Sequence, residues 1–221
     1  MSTPPALVIA GPGTNRDRDL ALALEVAGAD PTIVLAAELA EHPHLLHEAR
    51  LLAIAGGFSY GDALTDFVAT GRPVIGICNG FQVLTRTKLL PGALGHNAHG
   101  RFECRWVVLE PQRSSRCLWT KGIEEPIHCP IAHGEGRYVH PDPDALAEGG
   151  MIALTYRSTN PNGSVADIAG VCNPAGNVLG LMPHPENFIV GRQHPGFRRG
   201  AGADHMGLQL FSNGVAAAAE M

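Results

Sequence analysis

The sequence predicts a doubly wound α/β fold whose central sheet is mostly parallel and flanked by helices. Three observations carry that expectation. Short, uniformly apolar runs recur through the first half of the chain, stretches of helical periodicity lie between them, and glycine or proline bounds most of them. A strand that is apolar on both faces belongs in a sheet covered on both sides, the usual setting of parallel strands. Alternation with helices supplies the crossovers such a sheet needs.

Taken in order, Ala6–Ala10 reads as a buried strand. Asp17–Gly28 follows with apolar residues at Leu20, Leu24 and Ala27, and its closing glycine suits a C-cap. Thr32–Leu35 reads as a second strand, Leu45–Arg50 as a short helix, Leu51–Ala55 as a third strand and Pro73–Ile77 as a fourth. The second half is richer in strands: Cys104–Leu109, Ile127–Ala132, Met151–Tyr156, Ile168–Asn173 and Val178–Met182. Several of these should pair antiparallel, because their connections are too short for crossover helices. A last helix is expected over His205–Ala219, with Ala216–Ala219 as a fraying tail. No repeat or linker interrupts the 221 residues, so one continuous domain over 1–221 is expected.

Composition narrows the function classes. The formal net charge is -5 and no long run of one sign occurs, which argues against nucleic acid as a partner. The five cysteines, Cys78, Cys104, Cys117, Cys129 and Cys172, are odd in number and include no C-x-x-C pair. A disulfide framework or zinc knuckle is not expected, and a reducing compartment fits best. The N-terminus lacks the basic region of a signal peptide, and no apolar run approaches the roughly 20 residues of a membrane span. A soluble cytoplasmic protein with no membrane partner is expected. His42, His44 and His47 lie close together, but no Cys or carboxylate completes a metal set, so they read as a solvated surface.

Chemistry concentrates in two motifs. Gly76-Ile-Cys-Asn-Gly80 ends an apolar strand and opens a helix, Phe81–Lys88. A nucleophile flanked two residues away by glycines at such a turn is a nucleophile elbow. The helix N-terminus favours thiolate, the reactive form. Pro183-His-Pro-Glu186 follows another apolar run. Each proline extends the residue before it, so His184 and Glu186 share one side of the chain. A carboxylate behind a histidine fixes its tautomer and stabilises imidazolium. Cys78, His184 and Glu186 are therefore the candidate catalytic residues. Gly56-Gly57 follows a third strand, where a backbone N–H could complete an oxyanion hole with the amide of Asn79. The stretch lacks the Lys-Ser/Thr of a phosphate-binding loop.

These motifs, with Gly11–Asp19, Gly56–Asp62, Cys78-Asn-Gly-Phe-Gln82, Asn97–Phe102, Pro130–Arg137 and Asn160–Ser164, occur in collinear order over most of the chain. In that pattern the sequence resembles the class I (triad) glutamine amidotransferases. Within them it is similar to the glutaminase subunits of phosphoribosylformylglycinamidine synthase. The resemblance implies hydrolysis of glutamine through a cysteinyl thioester and delivery of ammonia to a separate synthetase subunit, with a small third subunit. It implies an oxyanion hole at Gly57 and Asn79, and substrate binding by Gln82 and by the backbone around His133 and Gly134. It implies no cofactor or metal in this chain, with ATP and Mg²⁺ acting in the synthetase. An amidotransferase of another pathway and a weakly active partner subunit are the alternatives. The family carries a longer segment between Asp62 and the Cys78 strand. Here Ala63–Arg72 leaves room only for a short helix, roughly Ala63–Thr70. The Gly-, Arg- and Pro-rich stretch Arg192–Asp204 is expected to serve docking.

Overall fold

The computed structural model describes residues 3–12, 14–56, 61–199 and 204–221. Gly57, one of the two expected oxyanion donors, lies outside the described residues. Strands run β1 (Pro5–Ala10), β2 (Asp30–Leu35), β3 (Leu51–Ile54), β4 (Val74–Ile77), β5 (Ala93–Gly95), β6 (Glu103–Pro111), β7 (Ile127–His133), β8 (Arg137–Val139), β9 (Ile152–Tyr156), β10 (Ile168–Cys172) and β11 (Val178–Leu181). Helices run α1 (Asp17–Val26), α2 (Ala36–Glu41), α3 (Leu45–Glu48), α4 (Gly61–Ala69), α5 (Asn79–Arg86), α6 (Pro143–Glu148) and α7 (Leu208–Ala219).

Nine strands form one sheet in the order β2-β1-β3-β4-β11-β10-β9-β6-β7. From β2 to β11 every neighbouring pair is parallel, and from β11 to β7 every pair is antiparallel. The expected mostly parallel first half and the antiparallel additions are both present. β1, β3, β4 and β11 are buried almost throughout, as strands covered on both faces must be. One core cluster, with Leu20, Leu24, Ile75, Trp119 and Phe211, lies on one face. A second, with Ile9, Leu52, Leu64, Phe81 and Tyr138, lies on the other. Burial of apolar area at about 25 cal/mol per Å² is what holds these layers to the sheet.

α1 ends where its glycine suggested. Gly28 has φ 99°, its N–H bonds Glu25 O at 2.9 Å, and Ala29 N–H bonds Leu24 O at 2.9 Å. This is a Schellman closure, which needs a left-handed residue at that point. Pro31 sits in β2, an edge strand, where its missing N–H costs the ladder little.

Several boundaries differ from expectation. α3 stops at Glu48, and α7 begins at Leu208 rather than His205. The alanine tail does not fray: Ala216–Ala219 continue α7, and Ala218 is fully buried in the core. The sequence reading passed over α2, α6 and the small β5–β8 ribbon.

Candidate active site

The cleft lies at the carboxyl ends of β4 and β11, where doubly wound sheets place their ligands. These two strands are parallel neighbours, with Gly76 opposite Gly180 and Ile77 opposite Leu181. Cys78 follows β4 directly, and its N–H bonds Leu181 O at 2.9 Å. His184 follows β11 after two residues, and its N–H bonds Pro130 O of β7 at 2.9 Å. The candidate nucleophile and base thus leave adjacent strands and emerge side by side.

Cys78 has φ 53° and ψ -104°, a conformation that non-glycine residues rarely adopt. Its flanking glycines have a measurable reason. A Cβ on Gly80 would stand 1.8 Å from Ile54 O, and one on Gly76 would stand 2.7 Å from Gly80 O. The elbow therefore packs backbone against backbone, which no side chain permits. Such strain, roughly 1–3 kcal/mol, persists only where the surroundings over-determine it. α5 starts at Asn79, so its positive end faces the sulfur.

His184 and Glu186 form the other side. Nδ1 of His184 lies 2.6 Å from Glu186 Oε1, and both residues are almost fully buried. Burial alone would oppose a charge on the imidazole. The Glu186 carboxylate and the neighbouring Cys78 side chain outweigh it and raise the His184 pKa to about 9. With Nδ1 committed to Glu186, the other ring nitrogen is left for the thiol. Proton transfer from Cys78 to His184 would leave a thiolate beside an imidazolium, the reactive form of a cysteine nucleophile.

The cleft has a volume of about 240 Å³. Cys78, Asn79, His184 and Glu186 line it, together with Thr14, Asn15 and Arg16 at the start of α1 and Phe102 at the rim. The loop after β3 comes close at Gly56, where a Cβ would stand 3.6 Å from Asn79 Cβ. That loop's continuation, Gly57, is outside the described residues.

The three expected substrate-binding residues lie beside this cleft rather than in its wall. Gln82 donates through Nε2 to Glu135 O at 2.9 Å and lines a separate small cavity with Thr85 and Leu94. The His133 side chain is buried, and its Nδ1 lies 3.1 Å from Asn97 Oδ1. Burial lowers its pKa to about 4, with the nearby His184 adding to the effect, so it is neutral near pH 7. Gly134 O accepts from Asn97 N–H at 2.9 Å.

Asn97 is the residue that sequence reasoning missed. Its Nδ2 donates to His133 O and Arg101 O, both at 2.9 Å, and its Oδ1 accepts from Gly136 N–H at 3.2 Å. Asn162 secures the same loop by donating to Gly136 O at 2.7 Å. Both asparagines lie in motifs that carried the resemblance, yet local sequence holds no sign of contacts 36 and 26 residues away.

The other cysteines stand apart from the cleft. Cys104 is exposed, while Cys117, Cys129 and Cys172 are buried and free. Burial, and then the Glu186 carboxylate, push the Cys129 thiol well up, which keeps it neutral. His42, His44 and His47 are exposed, and no metal-ligating cluster occurs among the described residues.

A cysteine, a histidine and a glutamate brought together from adjacent strands of a doubly wound sheet form the arrangement expected of a triad amidotransferase. The chain belongs to the glutamine amidotransferase family: the CobB/CobQ-like glutamine amidotransferase domain matches it over residues 3–69 and 62–216. The two matched stretches meet on α4, in the segment that the sequence marks as short. Phosphoribosylformylglycinamidine synthase subunit PurQ of Treponema denticola is 45% identical over 86% of this chain and 90% of that protein. The subunit of the same name from Dehalococcoides mccartyi is 36% identical over 97% and 98%. A solved structure of PurLQS from Thermotoga maritima matches with TM-score 0.77 and 36% identity, covering 96% of this chain and 97% of that one.

Proposed function

We propose that this chain is the glutaminase subunit of a phosphoribosylformylglycinamidine synthase. The observation that carries the chemistry is the strained Cys78 elbow set against the buried His184–Glu186 pair. The kinship with PurQ subunits supports the pathway. In this reading Cys78 attacks the carboxamide of glutamine, and His184, held by Glu186, protonates the departing ammonia. His184 then takes a proton from water, which attacks the thioester and frees glutamate. The backbone amides of Asn79 and Gly57 receive the oxyanion. Gln82, His133 and Gly134 support the substrate side through the loop they share with Asn97.

The ammonia passes to a synthetase partner, accompanied by a small third subunit, that converts formylglycinamide ribonucleotide to formylglycinamidine ribonucleotide. ATP and Mg²⁺ belong to that partner, and this chain works without a cofactor. No described helix is long and apolar enough to cross a membrane. Action in the cytoplasm is part of this proposal. The stretch Arg192–Asp204, of which residues 200–203 lie outside the described residues, is the proposed docking segment, with exposed Phe197 beside Arg198 and Arg199. The test is glutamine hydrolysis by the chain alone and with the synthetase, its nucleotide substrate and ATP. Turnover that disappears in Cys78→Ser is expected. No turnover in either condition would overturn the reading.

A further inference from the structure

β2 ends the nine-stranded sheet, so one side of its backbone faces away from the sheet. Asp30 N–H bonds Pro4 O at 3.0 Å, toward β1. Backbone groups alternate along a strand, so Thr32 and Val34 also turn to β1, while Pro31, Ile33 and Leu35 turn outward. Side chains alternate as well. Val34 is buried with Leu7 and Ile9 in the second core cluster. Ile33 and Leu35 therefore stand on the other face, that of α1, where they are 40% and 56% exposed. An edge with open aliphatic side chains beside outward donors and acceptors is a template for strand addition.

The edge is complementary to itself. When a second β2 is laid antiparallel and centred on Ile33, each Ile33 exchanges N–H and C=O with the other. Each Leu35 N–H then donates to the other copy's Pro31 O. Pro31, which has no N–H, is needed there only as an acceptor, and Leu35 O is left to solvent. α1 adds matching charge. Asp19 turns to Asn187, toward the middle of the sheet. Glu25 shares a surface cavity with Ala29, Asp30 and Pro31, on the β2 side. Arg18, Ala21 and Glu25 are spaced by three and four residues and share one helix face, and both charged residues are exposed. At about 1.5 Å per helical residue and about 3.3 Å per strand residue, the Ala21–Leu22 level of α1 matches that of Ile33, measured from the turn between α1 and β2. A two-fold axis through Ile33 thus sets each Arg18 against the other copy's Glu25.

We propose that this chain pairs with a second copy of itself through the β2 edge, in a two-fold dimer held by Ile33, Leu35 and the Arg18–Glu25 pairs. The joined strands are antiparallel, so the two clefts open at opposite ends of one continuous sheet. This goes beyond the glutaminase reading and does not depend on it.

Sedimentation velocity of the full chain, from micromolar to millimolar concentration, should show a monomer–dimer equilibrium. In Ile33→Lys, which leaves the buried core untouched, association should weaken about a hundredfold or more. Arg18→Glu and Glu25→Arg should each weaken it about tenfold, and the double variant should restore it. Hydrogen exchange reads the register. Protection of the Ile33 and Leu35 amides should rise with protein concentration, while that of Thr32 and Val34, already turned to β1, should stay constant. A parent chain that remains monomeric throughout would overturn the proposal. So would a dimer whose strength ignores both Ile33→Lys and the charge reversals.

Discussion

Cys78 reaches the cleft on a backbone bent to φ 53°, hemmed by Gly76 and Gly80, with its sulfur at the surface of the site. His184 reaches it at φ -112°, with both ring and carboxylate partner buried and a 2.6 Å contact between them. The candidate nucleophile is positioned by the main chain, and the candidate base by side-chain burial and charge. The first arrangement tolerates no added carbon. The second tolerates no lost charge. Substitutions in the two arms should therefore fail differently.

The largest effect expected is at Gly80. Its alanine variant would drive a Cβ into Ile54 O, at 1.8 Å. Loss of about 3 kcal/mol or more of stability should follow, read from the urea midpoint. A parent-like midpoint would mean that the elbow is softer than its geometry implies. Cys78→Ala should lower glutamine turnover by about 10⁴-fold or more while leaving the fold intact. Cys78→Gly should lose turnover equally but gain about 1 kcal/mol of stability, because glycine relieves the positive φ. If it gains nothing, strain is not what the main chain stores there.

The base arm is tested by charge. In Glu186→Gln the His184 pKa should drop from about 9, since the carboxylate raises it; NMR titration of the imidazole measures this. A folded pKa above the unfolded value of about 6.5 means that the folded state holds the proton more tightly. The stabilisation from His184 is then full below about pH 6.5 and is lost as pH rises toward 9. Unfolding midpoints across that window should fall less steeply in His184→Gln than in the parent. A further effect belongs to neither arm. Asn97→Ala should cost about 1–3 kcal/mol by stranding His133 and Gly136 N–H, and should raise KM more than it lowers kcat.

The two arms also differ in how far sequence discloses them. The elbow is legible because strain leaves a local mark: two glycines around one cysteine after an apolar strand. The base is legible because two prolines fix His184 and Glu186 on one side. The parallel core is legible because strands covered on both faces are apolar throughout. What stays hidden is made by distant partners. The three-residue strands β5 and β8 exist only through each other, across about 40 residues. Asn97 owes its place to His133, which no spacing could reveal. α6 did leave a signal, the capping Asp142 before Pro143 at the first turn.

The pairing of β4 with β11 has a consequence for how the molecule is made. Cys78 emerges early in synthesis, whereas β11 and His184 come near the end of the chain. Until β11 closes beside β4, the thiol has no base and no carboxylate behind it. A nascent or truncated chain therefore carries a dormant cysteine. The cleft is therefore complete only once β11 is in place, late in the chain.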